Sequence, residues 1–117
     1  MNDIISSFRA DVRGVLGDSV EPRRHADAQI DRAVVDAFRR MFSVRPESRY
    51  VNGVLKKFDF PSADSDLESF QVSFEPRWRM GIVYFAAARR YESDVIDAVN
   101  RELAASYFKQ ADAVFAS

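Results

Sequence analysis

A chain of 117 residues, 47% apolar and 30% charged, has the length of one domain and the make-up of a folded one. Its formal net charge of −1 supplies no global pull on nucleic acid, and the lack of cysteine excludes disulfide frameworks, thiolate metal sites and cysteine nucleophiles. The opening MNDIISSF has neither the basic start nor the apolar centre of a signal peptide, and no apolar run approaches the roughly 20 residues that span a bilayer. A soluble chain made in the cytoplasm, without membrane contact, is therefore expected.

Ile4, Phe8, Val12 and Leu16 recur every four residues, with Ile5 and Val15 widening the stripe, and predict a first helix. Gly14 weakens it and Gly17 ends it. After a polar connection at Pro22, Arg23 and Arg24, a second helix starts close to Asp27, whose carboxylate suits the positive end of the helix dipole. Ile30, Val34, Phe38, Met41 and Phe42 form its apolar face beside Ala33 and Ala37, and Asp31, Arg32, Asp36, Arg39 and Arg40 fall largely off it. Pro46 stops this helix, because the residue before proline is pushed out of the helical region.

Residues 47–75 carry no helical period. Asn52-Gly53 between Tyr50-Val51 and Val54-Leu55 signals a small hairpin, and Phe70, Val72 and Phe74 alternate with polar neighbours as a short strand does. Between them PSADSD (61–66) reads as a turn or mobile tip. So long a stretch between helices is unusual in a small domain, and its aromatics (Tyr50, Phe58, Phe60, Phe70, Phe74) exceed what a solvated loop needs. It is the leading candidate for a contact surface, although Phe70, Val72 and Phe74 fit equally well folded back on the domain's own core.

A third helix, led by Pro76 and running to about Tyr91, is apolar on almost every side through Trp78, Ile82, Val83, Phe85, Ala86, Ala87 and Ala88, which predicts a central, buried position. Glu92-Ser93-Asp94 breaks the chain, with Ser93 as N-cap of a fourth helix. That helix carries two apolar rows, Ile96-Val99-Leu103-Tyr107 and Ala104-Phe108-Ala111-Phe115, wide enough to cover its own core and a neighbouring subunit. The expected fold is all-α: a single four-helix bundle-like domain over 1–117, with a projecting loop at about 47–75 between helices two and three that has room for a small β-hairpin.

Chemistry-bearing patterns are scarce. His25 is the only histidine and sits among Arg23, Arg24 and Asp27 with no nucleophile-elbow glycines, so a solvated or capping role outweighs a Ser-His-Asp triad. Asp94 with Asp97, and the DSDLE run, lack the partners of a di-metal site or calcium loop, and the four glycines form no phosphate cradle. No catalytic residue, cofactor or metal is expected. Charge is unevenly spread: residues 20–57 hold nine Lys or Arg against five acids, whereas 58–76 hold five acids and no base. Either this is ordinary solvated surface, or the two patches meet on neighbouring copies in a head-to-tail interface. The residues assigned to contact are Arg39 and Arg40 on the second helix, and Arg49, Tyr50, Lys56, Lys57, Phe58 and Phe60 in the loop. Arg32, Arg39 and Arg40 also suit a small nucleic-acid-binding, packaging or regulatory protein, the alternative reading.

The order of these features resembles the head–tail adaptor (connector or neck) proteins of tailed bacteriophages over nearly the whole chain. Asp27-Ala28-Gln29-Ile30 is similar to the family's acid-led second-helix start, and Arg45-Pro46-Glu47 to the point at which that helix ends. Ile82-Val83-Tyr84-Phe85-Ala86-Ala87-Ala88-Arg89 resembles its core helix, and the last helix has acids early (Asp94, Asp97), small residues centrally (Ala104, Ala105) and Phe108 near its end. Ala26 stands where a Ser or Thr cap is usual and His25 where a tryptophan is, and any long C-terminal arm is expected to be absent or short. The resemblance implies a structural virion protein, made in the host bacterial cytoplasm, forming a homo-oligomeric ring, commonly of twelve copies. Such a ring docks on the portal protein, extends the DNA channel past the genome and offers a platform to a tail or stopper protein.

Overall fold

The structure, a computed structural model, describes residues 2–17, 25–56, 59–93 and 98–117. In chain order it runs β1 (Asn2–Ile4), a 3-10 turn (Ile5–Phe8), α1 (Arg9–Leu16), α2 (Asp27–Val44), a second 3-10 turn (Pro46–Arg49), β2 (Tyr50–Val51), β3 (Val54–Leu55), α3 (Asp64–Glu68), β4 (Gln71–Ser73), a third 3-10 turn (Pro76–Trp78), α4 (Arg79–Ser93) and α5 (Ala98–Ala116). The fold is mostly helical and bundle-like, with α4 packed against α1, α2 and α5. Two small antiparallel sheets, β1–β4 and β2–β3, correct the strictly all-α expectation. No helix among the described residues is long and apolar enough to cross a membrane.

Local signals explain the helix ends. Gly17 caps α1 at φ +68°, the left-handed conformation that glycine adopts without penalty. Ala26 has no side chain to cap α2, but the Gln29 side-chain oxygen accepts from the Ala26 N–H at 3.1 Å, which is the reciprocal half of a capping box. At the far end Arg45 leaves helical geometry before Pro46. The hairpin forms as expected: Tyr50 pairs with Leu55 and Val51 with Val54, around Asn52 and Gly53 at φ 53° and 78°. Two successive positive φ values are what a twist-compatible two-residue turn requires.

The N-terminus departs from its helical period. Asn2–Ile4 is extended and pairs with Gln71–Ser73, and the Ile5 N–H donates to the Phe70 carbonyl at 3.0 Å. Ile4 is consequently exposed, and the buried stripe begins at Ile5 and continues through Phe8, Val12 and Leu16. Periodicity could not reveal this, because β4's open backbone edge is a partner distant in sequence. The 61–66 tip is also more ordered than expected: Asp64–Glu68 forms α3, a single helical turn or so anchored by fully buried Leu67. Val72 and Phe74 are buried and Phe70 packs against the core, which decides the alternative left open for these three residues. Ser93 is the last residue of α4, its hydroxyl donating to the Arg90 carbonyl, and not the N-cap assigned to it; the Asp94 and Ile96 assignments lie outside the described residues.

Phe8, Phe38 and Phe74 meet at the centre with ring centroids 5.6–5.8 Å apart, two of the three contacts steep and edge-on. They join the N-terminal turn, α2 and the segment after β4. On the opposite side, α5 lays Ala104, Ala111 and Phe115 into the core, with Leu103, Tyr107 and Phe108 half-buried against it. Both apolar rows thus serve this chain's own core: Tyr107 stacks on Tyr84 and Tyr91, and Phe108 meets Phe85 edge-on. Only Val99 of these rows is exposed among the described residues. Gly81 lets α5 in; a Cβ there would lie 2.5 Å from the Phe115 ring.

Asp31, expected off the apolar face, is 1% exposed and accepts two hydrogen bonds from Arg9, at 2.9 and 2.6 Å. The fork geometry and burial make this a strong pair, and the bond to Asp31 holds the Arg9 guanidinium further toward its charged form. Arg9 also reaches Glu68 at 3.2 Å and so ties α1 to α2 and α3.

Two stability predictions follow from this packing. Helix propensity alone favours Gly81→Ala by about 1 kcal/mol, but the clash with a fully buried ring reverses the sign. A net loss of about 1–3 kcal/mol is expected in urea denaturation, and an unchanged or raised midpoint would show that Phe115 does not occupy that space. Asp31→Ala removes the buried, two-point partner of the Arg9 guanidinium and leaves it only the more exposed Glu68 and Asp27, at an expected cost of about 3 kcal/mol, against about 0–1 kcal/mol for Asp112→Ala in an exposed pair. Equal costs for the two would contradict the burial described.

Candidate functional site

The second half of α2 presents Arg39, Phe42 and Ser43 along one side, since residues three and four apart are neighbours on a helix. Pro46 then turns the chain through a 3-10 segment that brings Arg49 back over Phe42, its guanidinium carbon 5.2 Å from the ring centroid. The hairpin reverses the chain once more, and the Lys56 N–H donates to the Arg49 carbonyl at 2.8 Å, placing Lys56 beside Arg49. Asp59 and Phe60 complete a cleft of about 500 Å³ lined by Arg39, Phe42, Ser43, Arg49, Lys56, Asp59 and Phe60. Phe60 is fixed from below by Phe38 and Phe70, at 6.1 and 5.4 Å, while Arg39 lies 6.0 Å above its ring.

What distinguishes this cleft is the state of its cations. Elsewhere among the described residues most guanidiniums are committed within the chain, the exposed Arg101 excepted. Arg13 donates to Asp27 and to the His25 carbonyl. Arg32 holds Asp64 and the Pro61 and Ser62 carbonyls, Arg79 holds Asp3 and Asp11, and Arg89 bridges Asp36 and Glu92. Arg45 donates to the carbonyls of Phe115, Ala116 and Ser117. In the cleft, by contrast, Arg49 and Lys56 make no ion pair within 4.0 Å among the described residues, and Arg39 reaches only Asp36, at 3.9 Å. Three cations therefore face one concavity that holds a single carboxylate.

Of the residues assigned to contact, Arg39, Arg49, Lys56 and Phe60 converge here. Tyr50 lies on the adjoining hairpin, where it is half-exposed together with Val54 and Leu55. Arg40 points elsewhere: it pairs with Asp112 of α5 at 2.9 and 3.1 Å, and that hydrogen bond raises its affinity for its proton. Lys57 and Phe58 lie outside the described residues. Phe42, Ser43 and Asp59 were missed. Phe42 read as core, which it also is, and only the return of the chain after Pro46 turns its remaining edge into a cleft wall.

The acidic stretch is likewise used internally. Asp64 pairs with Arg32, Glu68 with Arg9 and Glu75 with Arg77. A second cleft, of about 400 Å³ between α2 and the end of α4, contains Arg32, Arg89 and Arg90 but also Asp36, Asp64 and Glu92, which offset them. His25 is buried, not solvated, and its Nδ1 accepts from the Arg90 Nε at 3.1 Å. Among the described residues no group of three or more His, Cys, Asp or Glu is placed to hold a metal ion.

Because the Lys56 ammonium makes no ion pair among the described residues, Lys56→Ala is expected to shift folding stability by no more than about 0.5 kcal/mol. A loss above that in chemical denaturation would mean that the ammonium is already engaged in the free protein.

Comparisons with protein-family models, with curated proteins and with solved structures find no match to the chain, so the chemistry of the cleft stands on its own residues.

Proposed function

We propose that this chain is a non-enzymatic assembly subunit: a ring-forming head–tail adaptor of a tailed-phage virion, docked on the portal vertex. There it extends the DNA channel and presents a platform to the tail or a stopper protein. The observation that carries the reading is a surface that pairs most of its described charges yet leaves Arg49 and Lys56 without an ion pair among the described residues, and Arg39 with only a 3.9 Å contact, beside a hairpin with exposed Tyr50, Val54 and Leu55. Uncommitted cations next to exposed apolar side chains are the make-up of a protein-binding patch. The order of helices and the Arg45-Pro46-Glu47 helix end add the family resemblance.

The second reading, a small nucleic-acid-binding protein, draws on the same three cations. It predicts affinity for DNA that falls steeply with salt. The adaptor predicts co-sedimentation with purified portal rings of its own phage, with about as many copies as the ring has subunits. Absence of binding to portal rings, combined with salt-sensitive DNA binding, would reject the adaptor in favour of the second reading.

A further inference from the structure

We infer that the cleft between the end of α2 and the hairpin, with the hairpin's exposed side chains, receives an acidic, apolar-studded segment of a partner protein. The inference deepens the adaptor reading and rests on it for the partner's identity, but not for the chemistry of the site.

The chemistry is set by what the cleft lacks. Arg39 and Arg49 each lie over an aromatic ring, Phe60 and Phe42, whose faces help fix the guanidinium planes while leaving their donors open. Lys56 adds a third, mobile donor. A guanidinium fork held in this way matches a carboxylate or a phosphate. Two observations favour carboxylates on a protein. First, among the described residues Arg32 and Arg40 of the same helix and Arg89 of α4 are each occupied by an acid of this chain, which shortens any track of free charge that a phosphate backbone could follow. Second, the adjoining hairpin exposes the aliphatic Val54 and Leu55 beside Tyr50, a surface that suits the apolar side chains of a protein segment better than a sugar-phosphate chain. A second copy of this chain is a weaker occupant: of the five acids in its acidic stretch Asp64, Glu68 and Glu75 are paired with Arg32, Arg9 and Arg77, and Asp59 lies in the cleft itself, which leaves Asp66 to offer.

The test is fluorescence anisotropy on the full chain with four labelled probes. These are a short peptide of alternating Glu and Leu, its counterpart with Ser for Leu, one with Lys for Glu, and a single-stranded oligonucleotide of similar length. The Glu/Leu peptide is expected to bind most tightly. The double change Arg49→Ser with Lys56→Ser should weaken it about tenfold, and Leu55→Ser should weaken it separately. Thermal melting by circular dichroism checks that both variants stay folded, and Lys56→Ser alone, which removes no ion pair among the described residues, serves if the double variant does not. Undiminished binding by the variants, no binding of the Glu/Leu peptide, or tighter binding of the oligonucleotide each overturns the inference. Failure here is separable from failure of the adaptor reading. Portal binding without peptide binding sinks only the acidic-segment inference, whereas peptide binding without portal binding sinks only the adaptor.

Discussion

Burial of α4 on nearly every side is the constraint from which the other placements derive. A helix can be surrounded by α1, α2 and α5 only if its neighbours can approach closely, and Gly81, Ala86, Ala87 and Ala88 supply that clearance. The larger residues Ile82 and Val83 then fill the space between the surrounding helices. With α5 committed to this packing through Phe115, Ala111 and Ala104, its two apolar rows are largely spent inside the chain. Exposed apolar surface is left chiefly at the hairpin, and at Ile4, Met80 and Val99.

Arginine does comparable work at the periphery. Arg9, Arg79 and Arg45 each bind groups from distant parts of the chain: Arg9 joins α1 to α2 and α3, Arg79 joins α4 to the N-terminal segment, and Arg45 joins the end of α2 to the end of α5. A planar fork with five donors suits such bridging better than an ammonium does. This internal use of charge also isolates the cleft. Cations are abundant in residues 20–57, yet among the described ones Arg32, Arg40 and Arg45 are matched by acids of the same chain, which leaves Arg39, Arg49 and Lys56 without an acid closer than 3.9 Å.

The helices were legible because each carries a local signal: Gly17 and Pro46 as stops, Asp27 as a start, the 3.6-residue stripe of α2, the all-round apolarity of α4. The hairpin was equally clear from Asn52-Gly53. What escaped depends on partners far away in sequence. Ile4 fits a helical stripe until β4 offers it a strand edge, Asp31 reads as solvent-facing until Arg9 covers it, and Ser93 resembles the start of one helix until α4 ends on it. The site was half legible. Composition identified Arg49, Lys56 and Phe60, but Arg40 looked equivalent to Arg39, and only Asp112, contributed by the last helix, separates them.

The pairing of β1 with β4 bears on the order in which the molecule is made. Asn2–Ile4 has its backbone partner in Gln71–Ser73, Asp3 and Asp11 have theirs in Arg79, and Phe8 leans on Phe74 and on that same guanidinium. As translation proceeds toward the C-terminus, Asn2–Ile4 can complete this pairing only after the chain has been synthesised past Ser73. The α1 stripe can meet α2 earlier, through Phe8 with Phe38 and Arg9 with Asp31, but its contacts with Phe74 and Arg79 close only after that point.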